Sequence, residues 1–195
     1  MNRAVFLDRD GVIVRDADLI IRIEQIEILE NITSALYKLK AAGYLLVVVS
    51  NQPVIAIGLI SEDEVKKIND EIERRIVDLD GPHIDGFYFC PHHPNANVKQ
   101  YRVVCDCRKP EPGLILKASL DFYIDTGKSY MVGDRITDIA AGKAADCTTI
   151  QVMSGLHEAP TIQTAHPIDP TLEPDYACRD LSAATQWILA RMALT

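Results

Sequence analysis

The chain contains no long apolar run. Nothing in its 195 residues approaches the ~20 consecutive apolar residues that a membrane-spanning helix needs, so neither a bilayer-crossing segment nor a membrane partner is expected. The N-terminus has no basic stretch followed by an apolar one, so a secretory signal is not expected and a cytoplasmic setting is. An excess of basic charge is also missing. Lys and Arg total 20 against 28 Asp and Glu, for a formal charge of −8, which argues against a general nucleic-acid binder. That balance leaves a small anionic substrate open, because local fields decide such binding. There are no internal repeats and no low-complexity tract. The length suits one domain over 1–195, expected as a monomer with a core of its own. Without export, disulfides are not expected, so the five cysteines need another explanation.

Strand and helix signals alternate along the chain. Ala4 to Leu7 predicts a strand. Ile32, Ala35, Leu36 and Leu39 share one helical face, and Gly43 ends that helix. Tyr44 to Val49 is an apolar, β-branched run that stops at Ser50-Asn51-Gln52. Ser61 with Glu64 three residues on is a capping box, opening a helix to about Leu79. Phe87 to Cys90 predicts a third strand, Tyr130 to Val132 a fourth and Thr148 to Val152 a fifth. Helices are expected over Pro112 to Tyr123, Ile136 to Ala145, and Leu181 to Met192. The segment from Ser154 to Tyr176 is rich in Pro, Thr and His and is expected to be loop, within a C-terminal loop and helix of about 154–195. This alternation implies an α/β fold, three-layered and Rossmann-like, with a parallel sheet and helices on both faces.

The chemistry lies where strands are expected to end. Val5-Phe6-Leu7 runs straight into Asp8-Arg9-Asp10-Gly11. Two carboxylates that close repel, and a bound cation with oxygen ligands is a common reason for a fold to keep both. A solvated Asp-x-Asp-Gly turn is the plainer alternative. Ser50-Asn51, Arg108-Lys109-Pro110 and Gly133-Asp134-Arg135 with Asp138 follow at domain-scale spacing. A parallel sheet would gather them at one edge. Carboxylates with a phosphate oxygen and water suit Mg²⁺. One carboxylate can attack phosphorus, and a second can exchange protons with the leaving oxygen and with water.

In order and spacing, Asp8-Arg9-Asp10-Gly11-Val12, Ser50-Asn51-Gln52, Arg108-Lys109-Pro110 and Gly133-Asp134-Arg135 resemble the haloacid dehalogenase superfamily of phosphatases. Within it they resemble the heptose 1,7-bisphosphate 7-phosphatase group and its histidinol-phosphate phosphatase relatives. The resemblance reaches to about Val152. It implies a haloacid-dehalogenase-type fold with no large cap domain, and a small sugar-phosphate substrate. It implies Asp8 as nucleophile and Mg²⁺ ligand, Asp10 as general acid/base with its backbone carbonyl on the metal, and Asp134 completing the metal site. Ser50 and Asn51, with Gln52 beside them, are expected to bind the phosphoryl group, and Lys109 to stabilise its charge and position Asp8. Arg108 and Arg135 would contact substrate. For Asp138 two roles stay open: a partner for Lys109, with a place at the metal as a further option, or an acid favoured at a helix N-terminus.

Cys90-Pro91-His92-His93 and Cys105-Asp106-Cys107 bring thiols and imidazoles together just before Arg108-Lys109. Three thiols and one imidazole suit tetrahedral Zn²⁺, although buried free cysteines would look the same in sequence. The resemblance implies a structural zinc loop over about 90–107 and selects His92 over His93, giving Cys90, His92, Cys105 and Cys107. Cys147 is expected in the core. Two departures from the family pattern fall on substrate loops. Asp16-Ala17-Asp18-Leu19 stands where a Gly-Tyr pair is usual, and Ile57 stands where an arginine is common. Asp16 and Asp18 are therefore candidate substrate contacts. They are compatible with histidinol phosphate, whose second group is cationic, and equally with an exposed loop. A zinc-stabilised binding module without turnover is the non-enzymatic alternative, which the presence of Asp8, Asp10, Lys109 and Asp134 together disfavours.

Overall fold

A computed structural model describes residues 1–16, 19–155 and 168–192. Its frame is one six-stranded sheet in which every pairing is parallel. The strands are β1 (Arg3–Leu7), β2 (Tyr44–Asn51), β3 (Gly86–Cys90), β4 (Tyr130–Gly133), β5 (Thr148–Val152) and β6 (Tyr176–Cys178), in the order β3-β2-β1-β4-β5-β6. The helices are α1 (Ile32–Ala41), α2 (Pro53–Ala56), α3 (Glu62–Asp78), α4 (Gly113–Asp121), α5 (Ile136–Ala144) and α6 (Leu181–Met192).

The central strands are apolar on both faces because both faces are covered. Val5 and Leu7 of β1 join Leu46 and Val48 of β2, and Val132 of β4, in a core closed by α1, α3 and α6. Ala4, Phe6, Val47, Val49 and Met131 point the other way, into a core closed by α4 and α5. The expected three layers are therefore present. The capping box that opens α3 also forms: Glu64 N–H donates to Ser61 Oγ at 3.2 Å, and Ser61 N–H donates to the Glu64 carboxylate at 2.8 Å.

Three details differ from the sequence expectation. Tyr176, placed at the end of a loop, instead begins β6, which adds to β5 from Ile150↔Tyr176 to Val152↔Cys178. Three residues with Ala177 exposed carry no readable periodicity. The short α2 follows β2 directly, with Pro53 at its start. Pro112 caps α4 from outside rather than opening it.

Candidate active site

Parallel pairing places the ends of β1, β2 and β4 side by side: Leu7 is level with Val48 on one side and Val132 on the other. The next residues of β1 and β4 therefore carry Asp8 and Asp134 out at one edge of the sheet. Asp8, Asp10, Asp16, Ser50, Asn51, Gln52, Arg108, Lys109, Arg135 and Asp138 line one open cavity of about 120 Å³; Asp134 is not among its lining residues. Asp18, the remaining candidate, lies outside the described residues.

Lys109 sits at the centre, 3% exposed. Its Nζ lies 2.9 Å from Asp8 Oδ1 and 2.5 Å from Asp138 Oδ1, and donates to Val49 O at 2.9 Å. Burial opposes the ammonium, yet Asp138 and Asp8 outweigh it, and the Lys109 pKa is raised. Asp138 takes both of the places left open for it. Its Oδ1 pairs with Lys109, while its Oδ2 accepts from Arg135 N–H at 3.0 Å at the start of α5. Gly133 makes this closeness feasible, since a Cβ there would lie 2.2 Å from Asp138 Cβ. Asn51 grips Lys109 from behind: its Nδ2 donates to Lys109 O at 2.9 Å, and its Oδ1 accepts from Lys109 N–H at 3.0 Å. The Asn51 side chain thus places the lysine-bearing loop.

Asp134 is fully buried, and neither of its carboxylate oxygens makes a hydrogen bond. Arg135 Nε stands 3.9 Å away. Oxygens of Asp8, Asp134 and Asp138 lie within 4.8 Å of one another. Burial pushes Asp8 up to about 7 and Asp134 up to about 8; Lys109 resists the shift at Asp8, and the neighbouring acids reinforce both. Unpartnered buried oxygens on acids that resist ionising are the mark of a site short of positive charge, and hard oxygen donors of this kind fit Mg²⁺. Gly11 closes the loop after the two acids at φ +85°, with Asp134 against its backbone.

The Asp10 carboxylate is held by other partners. Both its oxygens accept from Arg9, and Oδ2 also accepts from Gln52 Nε2 at 3.0 Å. Gln52 Nε2 reaches Ser50 Oγ at 2.7 Å as well, joining the first two motifs. At the mouth, Arg135 Nη2 donates to Asp16 Oδ2 at 2.8 Å. Arg108 is buried, donates to His92 O at 3.1 Å through Nη1, and keeps an Nη2 without a hydrogen bond. Burial lowers its pKa. Ile57 is absent from the residues lining this cavity.

Beside the cavity, Cys90, His92, Cys105 and Cys107 converge. Their sulfurs are separated by 3.1 to 3.6 Å, and His92 Nδ1 is 3.4 Å from Cys107 Sγ. Tetrahedral zinc with Zn–S near 2.3 Å places thiolates about 3.8 Å apart, so this donor set suits that ion. All five cysteines are free, and Cys147 is buried in the core.

Arg9 and Thr137 of the cavity wall, and Asn69 bonded behind Arg9, escaped the sequence reading. Arg9 was visible only as the residue between two acids. Asn69, from α3, donates no motif; its one signal is a lone amide in the apolar stripe of Val65, Ile68, Ile72 and Ile76.

Comparison with known proteins bears on the same residues. A HAD-hydrolase-like family model matches residues 106–184. The D-glycero-beta-D-manno-heptose-1,7-bisphosphate 7-phosphatase of Escherichia coli K12 is 37% identical over 190 residues, 97% of this chain and 90% of that protein. The protein of the same name from Pasteurella multocida is 42% identical over 156 residues, 80% of this chain and 84% of that one. The crystal structure of the D,D-heptose 1,7-bisphosphate phosphatase from B. bronchiseptica, complexed with magnesium and phosphate, superposes with a TM-score of 0.79 at 27% identity, covering 97% of this chain and 99% of that one. The chain belongs to the heptose-1,7-bisphosphate 7-phosphatase family of haloacid-dehalogenase-like hydrolases.

Proposed function

We propose that this protein is a Mg²⁺-dependent phosphatase that removes the 7-phosphate of D-glycero-D-manno-heptose 1,7-bisphosphate, a step toward nucleotide-activated heptose for surface glycans such as lipopolysaccharide. The observation that carries the chemistry is the enclosure of Lys109 between Asp8 and Asp138, beside an Asp134 whose oxygens are buried without a hydrogen bond. Relatives of that name, alike over nearly the whole chain, support the substrate.

Asp8 attacks phosphorus through a carboxylate oxygen. As the bond from phosphorus to the sugar oxygen breaks, its electron pair stays on that oxygen, which takes a proton from Asp10. Asp10 then accepts a proton from water, whose oxygen displaces Asp8 from phosphorus and leaves inorganic phosphate. Lys109 and the Ser50 hydroxyl stabilise charge on the transferring oxygens, and Asn51 and Asp138 hold Lys109 in place. Magnesium would be held by Asp8, Asp134 and the Asp10 backbone carbonyl, and would supply the positive charge that lets Asp8 and Asp134 ionise together. Zinc on Cys90, His92, Cys105 and Cys107 is structural, since four protein ligands leave no open position. A three-thiol site also fits the reducing cytoplasm, where the enzyme acts as a one-domain monomer.

The unpartnered Nη2 of Arg108 suits the substrate's second phosphate. Asp16 spends its charge on Arg135, which counts against its serving a cationic histidinol group. Phosphate release across a panel of sugar mono- and bisphosphates and histidinol phosphate, with Asp8→Asn as control, tests the reading. Preference for heptose bisphosphate is expected. Equal release by the Asp8→Asn chain would remove the mechanism, and preference for histidinol phosphate would replace the substrate.

A further inference from the structure

Arg9 is among the largest fully buried side chains, 1% exposed, and no step of the reaction above uses it. Each nitrogen of its guanidinium donates to a neighbour. Nε donates to Asp10 Oδ1 and Oδ2 at 3.3 and 3.1 Å. Nη2 donates to Asp10 Oδ1 at 3.1 Å and to Gln52 Oε1 at 3.0 Å. Nη1 donates to Asn69 Oδ1 at 3.1 Å. Asn69 is 5% exposed and stands on α3, far in sequence from every motif at the sheet edge.

We infer that Asn69 and Arg9 form a brace that fixes the Asp10 carboxylate for proton transfer, which makes Asn69 a positioning residue for the reaction. The inference rests on the phosphatase reading and on Asp10 as its acid/base. A carboxylate on a loop turns about two side-chain bonds. A planar guanidinium binding both its oxygens fixes the plane of the group. That grip fixes a direction only if the guanidinium is itself held, and Asn69 supplies the far anchor from a capped helix whose other inward side chains are packed apolar ones. Burying an amide in such a stripe is unfavourable unless it is hydrogen-bonded, and its bond to Arg9 meets that need. Gln52 completes the brace by bonding both Arg9 and Asp10, and its further bond to Ser50 Oγ joins the brace to the second motif. The Asp10 side chain remains 23% exposed, against 2% for Arg9, and both line the cavity.

A brace of this kind has a signature that a general packing role lacks. A sugar oxygen leaves phosphorus only with a proton, whereas p-nitrophenolate leaves without one. The test compares wild type, Asn69→Leu and Asn69→Asp, each with Mg²⁺, in single-turnover cleavage of the preferred sugar phosphate and in the p-nitrophenolate burst from p-nitrophenyl phosphate. Asn69→Leu is expected to slow the sugar-phosphate step about ten- to a hundredfold while changing the burst by less than about twofold. Asn69→Asp keeps an acceptor for Arg9 and is expected to restore the rate. Equal losses on both substrates, or no loss on either, would overturn the brace. If the leucine chain melts below assay temperature, Asn69→Ala removes the acceptor with less apolar bulk and gives the same comparison. A wild-type chain that cleaves neither substrate would instead sink the phosphatase reading, so the two failures are told apart.

Discussion

Asp8 and Asp134 are acids that the fold holds where ionising is hard. Burial raises Asp8 to about 7 and Asp134 to about 8, against an ordinary value of 3.8. The folded, metal-free chain therefore keeps protons that the unfolded chain has released. The resulting stabilisation is full below the unfolded value of 3.8 and is lost as pH rises through the folded values near 7 and 8. Thermal melts in chelator should accordingly fall between pH 5 and pH 8, on the order of several degrees, and level off above. Added Mg²⁺ should raise the melting temperature, and by more at pH 8 than at pH 6, because the ion competes with protons for the same oxygens. A Mg²⁺ effect that does not grow with pH would disconnect these acids from the metal. At this scale Asp8, Asp10, Lys109 and Asp134 were legible because each stands in a motif with its own spacing. Asp138 was half legible: the sequence left two roles open, and both oxygens turn out to be in use. Arg9 and Asn69 were illegible as partners, since sixty residues of chain separate them.

The segment between β3 and α4 carries Arg108 and Lys109, yet it has few apolar residues and only a short 3₁₀ turn at Lys99–Tyr101. It is held by the Cys–His cluster at one end and by Asn51 at the other. A loop without a core of its own depends on such clamps. Metal analysis of the purified chain should find a single bound zinc, and Cys107→Ser should lose it. That variant should keep its far-UV circular dichroism while kcat falls about tenfold or more, because the residue next to Cys107 reaches the cavity and the one after it pairs with Asp8. Unchanged turnover without zinc would show that the loop stands on its other contacts. Apolar runs and a capping box made β1 to β5 and α3 readable as elements. β6 was unreadable because three half-exposed residues become a strand only through the ladder β5 offers them.

Across the molecule, the sheet ties the active edge to the C-terminal end of the chain. Trp187 of α6, the only tryptophan, stacks on Tyr176 of β6 with centroids 4.7 Å apart and meets Tyr130 of β4 edge-on at 6.3 Å. Its fluorescence therefore reports whether α6 and β6 stay docked on the central strands. If 1–195 folds as one unit, denaturant unfolding followed by Trp187 fluorescence and by far-UV circular dichroism should give the same midpoint and slope. An earlier fluorescence transition would make the C-terminal layer a separate unit. Among the described residues no helix is long and apolar enough to cross a membrane.

Sequence alone determined the alternating elements, the acids, the lysine and the Cys–His donors, because each is written as a local run or a short motif. The tertiary structure decided which groups meet. Strand order and parallel register set Asp8 beside Asp134, closed Lys109 between two carboxylates, and delivered Asn69 from a distant helix to the back of Arg9. Local pattern records what a residue is and which way its element faces; contacts between distant segments arise only when the sheet and its covering helices bury their apolar faces together.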